Sequence, residues 1–256
     1  MNLAEIPLFD AHFHIIDPRY PLVENQGYLP PAYTCDDYLE RMGDKPLLGG
    51  AVVSGSFQAV DQTYLLAALE RLGPAYVGVT QLPETVDDET LSKLDKAGVR
   101  GVRFNLMRGG SATLAALEPF AHRLYEKVGW HVELYADAPL IDRLHGVIGE
   151  LPAVSIDHMG LYRRASSHLL DLVERGVRVK ASGFGRLEAD PIPLLREIYG
   201  ANPLSLMFGS DLPSTRAPRP FSERDIERIG DALCENGVKQ VLFKNARAFY
   251  RPAGVA

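Results

Sequence analysis

LFDAHFHIID, residues 8–17, is the first apolar stretch of the chain and carries Asp10, His12 and His14 at every second position. Successive side chains of a β-strand point to opposite faces, so residues two apart share a face. The pattern predicts a first strand over 8–15 in which His12 and His14 project together, with Asp10 on the same side one step earlier. Two adjacent imidazoles at a strand end can bind a metal, hold an anion or simply pack.

Seven more short runs rich in Val, Ile and aromatic residues follow, separated by segments with apolar residues at helical spacing, such as DQTYLLAALERLG over 61–73. This alternation, with no break in composition, predicts a parallel sheet with helical crossovers. Eight units in 256 residues favour one domain over 1–256, a (β/α)8 TIM barrel. A doubly wound sheet would carry a glycine-rich phosphate loop after its first strand, and none is present. Long loops are predicted over 17–33 and 213–225. The eight predicted strands are 8–15, 49–56, 75–82, 99–106, 130–137, 153–160, 177–184 and 205–212.

Composition narrows the class of protein. A net charge of −6 argues against non-specific nucleic-acid binding, which needs a basic surface. Cys35 and Cys234 have no C-x-x-C spacing, which argues against a disulfide scaffold and a structural zinc site. The first residues do not have the pattern of a signal peptide, and no apolar run approaches the ~20 residues of a membrane span. We therefore expect a cytoplasmic protein with neither nucleic-acid nor membrane partners; the sequence leaves its oligomeric state open.

Polar residues collect where the predicted strands end. In a TIM barrel the active site is built at the carboxyl ends of the strands, so these side chains are expected to meet. Packing alone does not explain so many His, Asp and Arg residues at one end of a barrel. The polar positions are His12, His14, Ser54, Ser56, Arg103, Asn105, Arg108, Glu133, Tyr135, Asp157, His158, Lys180, Ser182, Arg186, Ser210 and Asp211.

Four motifs occur in a specific order: FDAHFHI (9–15), GVRFN (101–105), IDHMG (156–160) and FGSDLP (208–213). Together they resemble the amidohydrolase superfamily, and more narrowly its lactonase branch around 2-pyrone-4,6-dicarboxylate lactonase. An isolated His-x-His would be a weak signal, whereas the ordered set spans most of the chain.

The resemblance implies a barrel that activates a water molecule at its strand ends and holds the carboxylates of its substrate with arginines and hydroxyls. The catalytic set that it implies is Asp211 as general base, with His12, His14 and His158 around the carbonyl and the water. The substrate-binding set that it implies is Arg103, Arg108, Tyr135, Ser56 and Arg186.

The requirement for a metal stays open at this point. Metal-dependent members usually add a histidine or lysine of strand five to the His-x-His, the strand-six histidine and the final aspartate. Here strand five offers Glu133 and Tyr135 at its inward positions, and tyrosine is a poor zinc ligand. The interpretation we favour requires no cofactor. The alternative is one divalent ion such as zinc, held by His12, His14, His158 and Asp211.

The predicted function is hydrolytic opening of a small carboxylated lactone, 2-pyrone-4,6-dicarboxylate or a close relative. Several arginines around one cavity predict a substrate with more than one carboxylate, because guanidinium groups bind carboxylates in a bidentate manner. The alternatives on the same barrel are a sugar-acid or sulfonated-muconate lactonase and a metal-dependent decarboxylase or hydratase. A non-enzymatic alternative is a carboxylate-binding sensor.

Overall fold

Eight parallel strands form one sheet in the order of the chain, with a helical layer outside it. The computed structural model describes residues 2–253. The predicted (β/α)8 TIM barrel is confirmed. The strands are β1 (Leu8–Phe13), β2 (Leu47–Val53), β3 (Tyr76–Thr80), β4 (Val99–Asn105), β5 (His131–Tyr135), β6 (Val154–Ile156), β7 (Arg178–Ala181) and β8 (Leu206–Phe208).

The helices lie between and after the strands. The predicted helical segment over 61–73 forms a helix, and local capping explains where several of the other helices begin. For example, Asp137 accepts a hydrogen bond from the backbone N–H of Leu140, and a proline stands in the first turn that follows. The helices are α1 (Cys35–Met42), α2 (Thr63–Leu72), α3 (Asp88–Lys96), α4 (Leu117–Val128), α5 (Ala138–Glu150), α6 (Ser167–Glu174), α7 (Pro191–Ala201), α8 (Glu223–Ala232), α9 (Glu235–Lys239) and α10 (Asn245–Tyr250).

Several predicted boundaries are wrong by a few residues. Strands β6 and β8 stop earlier than predicted because the chain turns toward the barrel mouth after Ile156 and after Phe208. The loop predicted over 213–225 ends at Ser222, because Ser222 and Asp225 form a capping box that begins α8.

The barrel closes between β1 and the segment that follows β8. The N–H of Asp211 donates to the carbonyl oxygen of His12 over 2.7 Å, and the N–H of His14 donates to that of Leu212 over 2.7 Å. Gly209 permits this approach, since a Cβ there would lie 2.8 Å from the Cβ of His12. These bonds form a seam between the first and last strands.

Asp10 does not share the face of His12 and His14, so that part of the strand prediction is wrong. The register of β1 against β2 shifts between Asp10 and Phe13, as in a β-bulge, and this breaks the simple alternation. The carboxylate of Asp10 instead accepts hydrogen bonds from Tyr38 of α1 (3.2 Å) and from the N–H and hydroxyl of Ser210 (2.8 and 2.6 Å).

The barrel interior is apolar at its amino end and charged above it. Tyr250 of α10 is fully buried there and stacks on Phe9, with ring centroids 5.9 Å apart. Its hydroxyl donates to Glu133 over 2.5 Å, where the charged layer begins. Among residues 2–253, no helix combines the length and the apolar character that crossing a membrane requires.

Candidate active site

Three imidazoles surround one carboxylate oxygen at the barrel mouth. Oδ1 of Asp211 lies 3.9 Å from Nε2 of His12, 3.9 Å from Nε2 of His14 and 3.8 Å from Nε2 of His158. All four side chains are buried. The gaps exceed a direct hydrogen bond, so these atoms face a space in which a small group can bridge them.

The backbone around His158 is locally strained. His158, Met159 and Leu161 have positive φ values of 52°, 51° and 53°, a region that costs a non-glycine residue energy. This left-handed turn directs the ring of His158 against that of His12, with centroids 4.7 Å apart. Gly183 leaves room for the ring: its φ is 60°, and a Cβ there would lie 2.6 Å from Nδ1 of His158.

The Nδ1 atoms of His14 and His158 lie on the side of the rings away from the mouth, and their hydrogen bonds bear on which ring nitrogen carries the proton. Nδ1 of His14 lies 2.7 Å from the carbonyl oxygen of Val53, which can only accept, so this nitrogen carries the proton. Nε2 of His14 therefore presents a lone pair toward Asp211. Nδ1 of His158 lies 3.0 Å from the hydroxyl of Ser182, which can donate or accept.

Asp211 is paired with Arg186 in a bidentate arrangement. Nε of Arg186 donates to Oδ2 over 2.8 Å and Nη2 donates to Oδ1 over 3.2 Å; Nη2 also reaches the carbonyl oxygen of Thr215 over 2.9 Å. The pair fixes the carboxylate at the mouth. Nη1 of Arg186 makes no hydrogen bond to any residue in 2–253.

A polar cleft that opens to solvent lies above the histidines. All five residues of the predicted substrate-binding set line it, together with His14 and His158. The structure thus brings every predicted site residue to one end of the barrel, with His12 and Asp211 directly below. Their roles stay predictions. The lining residues are His14, Gly55, Ser56, Phe57, Arg103, Asn105, Arg108, Tyr135, His158, Arg186, Thr215 and Arg216.

Arg216 is a lining residue that the sequence analysis missed. It lies in the loop after β8 and reaches over the mouth to the loop after β1, where its guanidinium packs 4.5 Å from the ring centroid of Tyr28 and donates to the carbonyl oxygen of Asn25. The arginine-rich segment STRAPR over 214–219 was the available signal. Nothing in a single sequence shows which of its arginines turns inward.

A buried charged layer supports the mouth from below. Lys180 has 0% exposure, and its Nζ lies 2.5 Å from Oε2 of Glu133 and 3.3 Å from Oδ1 of Asp157. Arg103 pairs with the other oxygen of Asp157 over 2.9 Å. Two positive and two negative groups balance, as burial of charge requires. Lys180 was predicted to lie at a strand end, and the sequence indicated no role for it.

Burial lowers the pKa values of His12, His14 and His158 below that of a free histidine. Nearby positive groups add to the effect, with Lys180 acting on His12 and Arg186 acting on His158. The three rings are therefore neutral at pH 7, and their nitrogens act as hydrogen-bonding groups instead of fixed charges.

Two groups of side chains have the spacing of a metal site. Donor atoms of His12, His158 and Asp211 lie within 4.8 Å of one another, and so do those of His12, Glu133 and Asp157. Spacing alone suits a cation in either group. The surrounding charges do not, because the ammonium of Lys180 occupies the second group and Arg186 covers both oxygens of Asp211 in the first.

Comparisons with known proteins show the family of the chain. The sequence model of a family described as amidohydrolase matches residues 9–251. The chain is 26% identical over 224 residues to a 4-sulfomuconolactone hydrolase of Rhizobium radiobacter, covering 80% of this chain and 75% of that one. It is also 26% identical over 236 residues to a 2-pyrone-4,6-dicarboxylate hydrolase of Comamonas testosteroni, covering 80% and 76%.

A solved structure extends the likeness. A Pseudomonas putida protein, provisionally named a 2-pyrone-4,6-dicarboxylic acid hydrolase, superposes with a TM-score of 0.78 at 27% identity, covering 96% of this chain and 98% of that one. The resemblance that the four sequence motifs indicated is confirmed.

Proposed function

The chain belongs to the amidohydrolase family, and from that premise we propose that it hydrolyses a lactone that carries carboxylates, with 2-pyrone-4,6-dicarboxylate or a close relative as substrate. Two relatives at 26% identity are named for lactone hydrolysis, which supports the reaction class. The observation that carries the proposal is the convergence of three imidazoles on Oδ1 of Asp211 beneath a cavity lined by arginines.

The arginines support an anionic substrate. Nε of Arg103 donates a hydrogen bond to Asp157, and Nη1 donates to the carbonyl oxygen of Ser54. Nη1 of Arg108 donates to the side-chain oxygen of Gln26. Like Arg186, each keeps guanidinium N–H groups that bond to no residue in the described chain. These donors suit two carboxylates, and Tyr135 and Ser56 add hydroxyls on the same wall.

Water attack needs a base, an orienting acceptor and donors for the developing oxyanion. A water between Asp211 and His14 donates one proton to each, because Nε2 of His14 presents a lone pair. As its oxygen bonds to the lactone carbonyl carbon, Asp211 takes one proton and the carbonyl electrons move to oxygen. His12 and His158 lie around that oxygen. Collapse of the intermediate breaks the ring C–O bond, and Asp211 returns the proton to the departing oxygen.

In this proposal no metal is required. The chain's own residues supply the base and the positive potential, through Asp211 and through Arg103 and Arg186. A divalent ion held by His12, His158 and Asp211 would have to share the carboxylate with the positive charge of Arg186. The arrangement of charges in the site supports a mechanism without a metal.

The test is turnover of a lactone panel led by 2-pyrone-4,6-dicarboxylate, followed by ultraviolet absorbance in chelator-treated buffer. We expect hydrolysis that survives the chelator. Asp211→Asn should lower kcat by about 10²–10⁴-fold, the usual contribution of a positioned base. Asp44→Asn, at an exposed aspartate outside the site, is the matched control and should leave kcat unchanged.

The other outcomes separate the alternatives. Faster turnover of a sulfonated muconolactone or a sugar-acid lactone would move the substrate assignment within the lactonases. Turnover that appears only with added zinc or manganese would overturn the metal-free mechanism. No turnover of any carboxylated lactone under either condition would overturn the lactonase proposal, and decarboxylation, hydration or plain carboxylate binding would then be assayed.

A further inference from the structure

The ammonium of Lys180 sits where a cation would be expected in the group formed by His12, Glu133 and Asp157. Nζ lies 2.5 Å from Oε2 of Glu133, 3.3 Å from Oδ1 of Asp157 and 3.0 Å from Nδ1 of His12. All four side chains have 0% exposure. The ammonium pairs with two carboxylates at these distances, and an ammonium can only donate hydrogen bonds.

The hydrogen bond from Lys180 defines the tautomer of His12. Nδ1 of His12 must accept from Nζ, so its lone pair lies there and the ring proton of the neutral imidazole is on Nε2. The competing partner is Oδ1 of Asp157, 3.2 Å from the same nitrogen. A proton placed on Nδ1 in the ring plane does not reach that oxygen with hydrogen-bond geometry, so the geometry favours the lysine as the partner of Nδ1.

On the opposite side, Nε2 of His12 is directed toward Asp211 beneath the mouth and has no partner among residues 2–253. Within the described chain this buried nitrogen makes no hydrogen bond, and its nearest carboxylate oxygen, Oδ1 of Asp211, is 3.9 Å away. A protonated ring nitrogen buried without an acceptor is costly unless a ligand supplies one. His12 and His14 thus present opposite chemistry to one space: His14 offers a lone pair and His12 an N–H.

We propose that Lys180 is a positioning residue that holds His12 as the Nε2–H tautomer, so that His12 donates a hydrogen bond to an oxygen in the mouth and cannot act there as a metal ligand. The identity of that oxygen rests on the proposed function: it is the lactone carbonyl oxygen, on which negative charge develops. Lys180 never touches the substrate. It acts through His12 from below, and Glu133 with its partner Tyr250 holds the lysine in place.

The direct test is nitrogen NMR of the protein labelled with ¹⁵N-histidine, with the His12 signals identified by their loss in His12→Gln. We expect a protonated Nε2 and an unprotonated Nδ1 for His12 in the wild type, and the reverse for His14. A wild-type spectrum with the proton on Nδ1 of His12 would overturn the proposal. This measurement needs no substrate, so it stands whether or not the lactonase assignment does.

The variant test removes the lysine without leaving an unpaired buried charge. Lys180→Met with Glu133→Gln keeps the layer neutral, and Lys45→Met, a lysine at the opposite end that pairs with Glu223, is the matched control. In the double variant we expect the His12 proton to move to Nδ1, next to Asp157. We expect kcat to fall about 10²-fold, as for loss of one oxyanion donor, with KM changed less than threefold.

Zinc supplies a third readout. With its Nε2 lone pair exposed, the double variant should bind zinc by calorimetry more tightly than the wild type does. An unchanged His12 tautomer in the folded double variant, or equal zinc affinity in the two proteins, would refute the role of Lys180. A double variant that does not fold leaves the wild-type spectrum as the deciding measurement.

Discussion

The carboxylate of Asp10 fastens the seam between the first and last strands, and its removal should be costly. Oδ1 accepts from the backbone N–H groups of Ser210 (2.8 Å) and His12 (3.2 Å), and Oδ2 accepts from the hydroxyls of Ser210 (2.6 Å) and Tyr38 (3.2 Å). Burial raises the pKa of Asp10 to about 6, so the group is ionised at pH 8.

Asp10→Ala should lower the free energy of unfolding by about 2–6 kcal/mol. The two hydroxyls can turn toward other partners, but the two backbone N–H groups are fixed in the seam, and each unsatisfied buried donor costs about 1–3 kcal/mol. Asp10→Asn keeps an oxygen where both N–H groups point. It loses the charge and puts an amide NH2 in place of Oδ2, so the hydroxyls of Ser210 and Tyr38 must turn and accept from it. We expect it to cost about 1–2 kcal/mol.

Urea denaturation at pH 8, followed by fluorescence and circular dichroism, measures both variants. Asp44→Ala, at an exposed aspartate, is the control and should lie within about 0.5 kcal/mol of the wild type. The reasoning about the seam is refuted if Asp10→Ala behaves like Asp44→Ala. An asparagine variant as damaged as the alanine one would show that charge, and not the position of the oxygen, holds the seam.

Three further predictions concern pH, space and the mouth. Burial keeps the three site histidines neutral in the folded chain, while in the unfolded chain they take up protons below about pH 6.5; urea titrations should therefore show stability falling as pH drops, by up to about 1.4 kcal/mol per pH unit per ring. Between about pH 6 and 4 the folded chain binds up to one more proton at Asp10 than the unfolded chain does. This proton works against the loss of stability and should not reverse it. Gly183→Ala should displace His158 and lower kcat at least tenfold, whereas Gly200→Ala, in open space on α7, should not. Arg216→Gln should raise KM for the dicarboxylate several-fold with little change in kcat, and the exposed Arg224→Gln should change neither; a large fall in kcat with unchanged KM would contradict a role in holding the mouth.

Much of the fold could be predicted because hydrophobic periodicity is local. Each of the eight strands overlaps its predicted stretch, although several boundaries differ, and the helical segment over 61–73 contains α2. The bulge in β1 could not be predicted, because it depends on the register against β2. Simple alternation therefore placed Asp10 beside His12, whereas it contacts Tyr38 on the outer layer.

The candidate site, too, could be predicted only in part from the sequence. The barrel rule places strand-end residues together, and the motifs identify which of them to expect there. Partners within the site do not follow from these rules: nothing local shows that Arg186 grips Asp211 or that Lys180 reaches His12. The two pairings join side chains 25 and 168 residues apart in the sequence, so only the packed structure reveals them.

The seam also bears on how activity is acquired during folding. The two histidines of β1 and the aspartate after β8 come from opposite ends of the barrel sequence, and they reach one another only when the last strand docks on the first. A chain truncated before β8 lacks Asp211, the proposed base, however much of the sheet has formed. Recovery of turnover after dilution from denaturant should therefore time the docking of the final strand, and lag behind any signal from the earlier strands and helices.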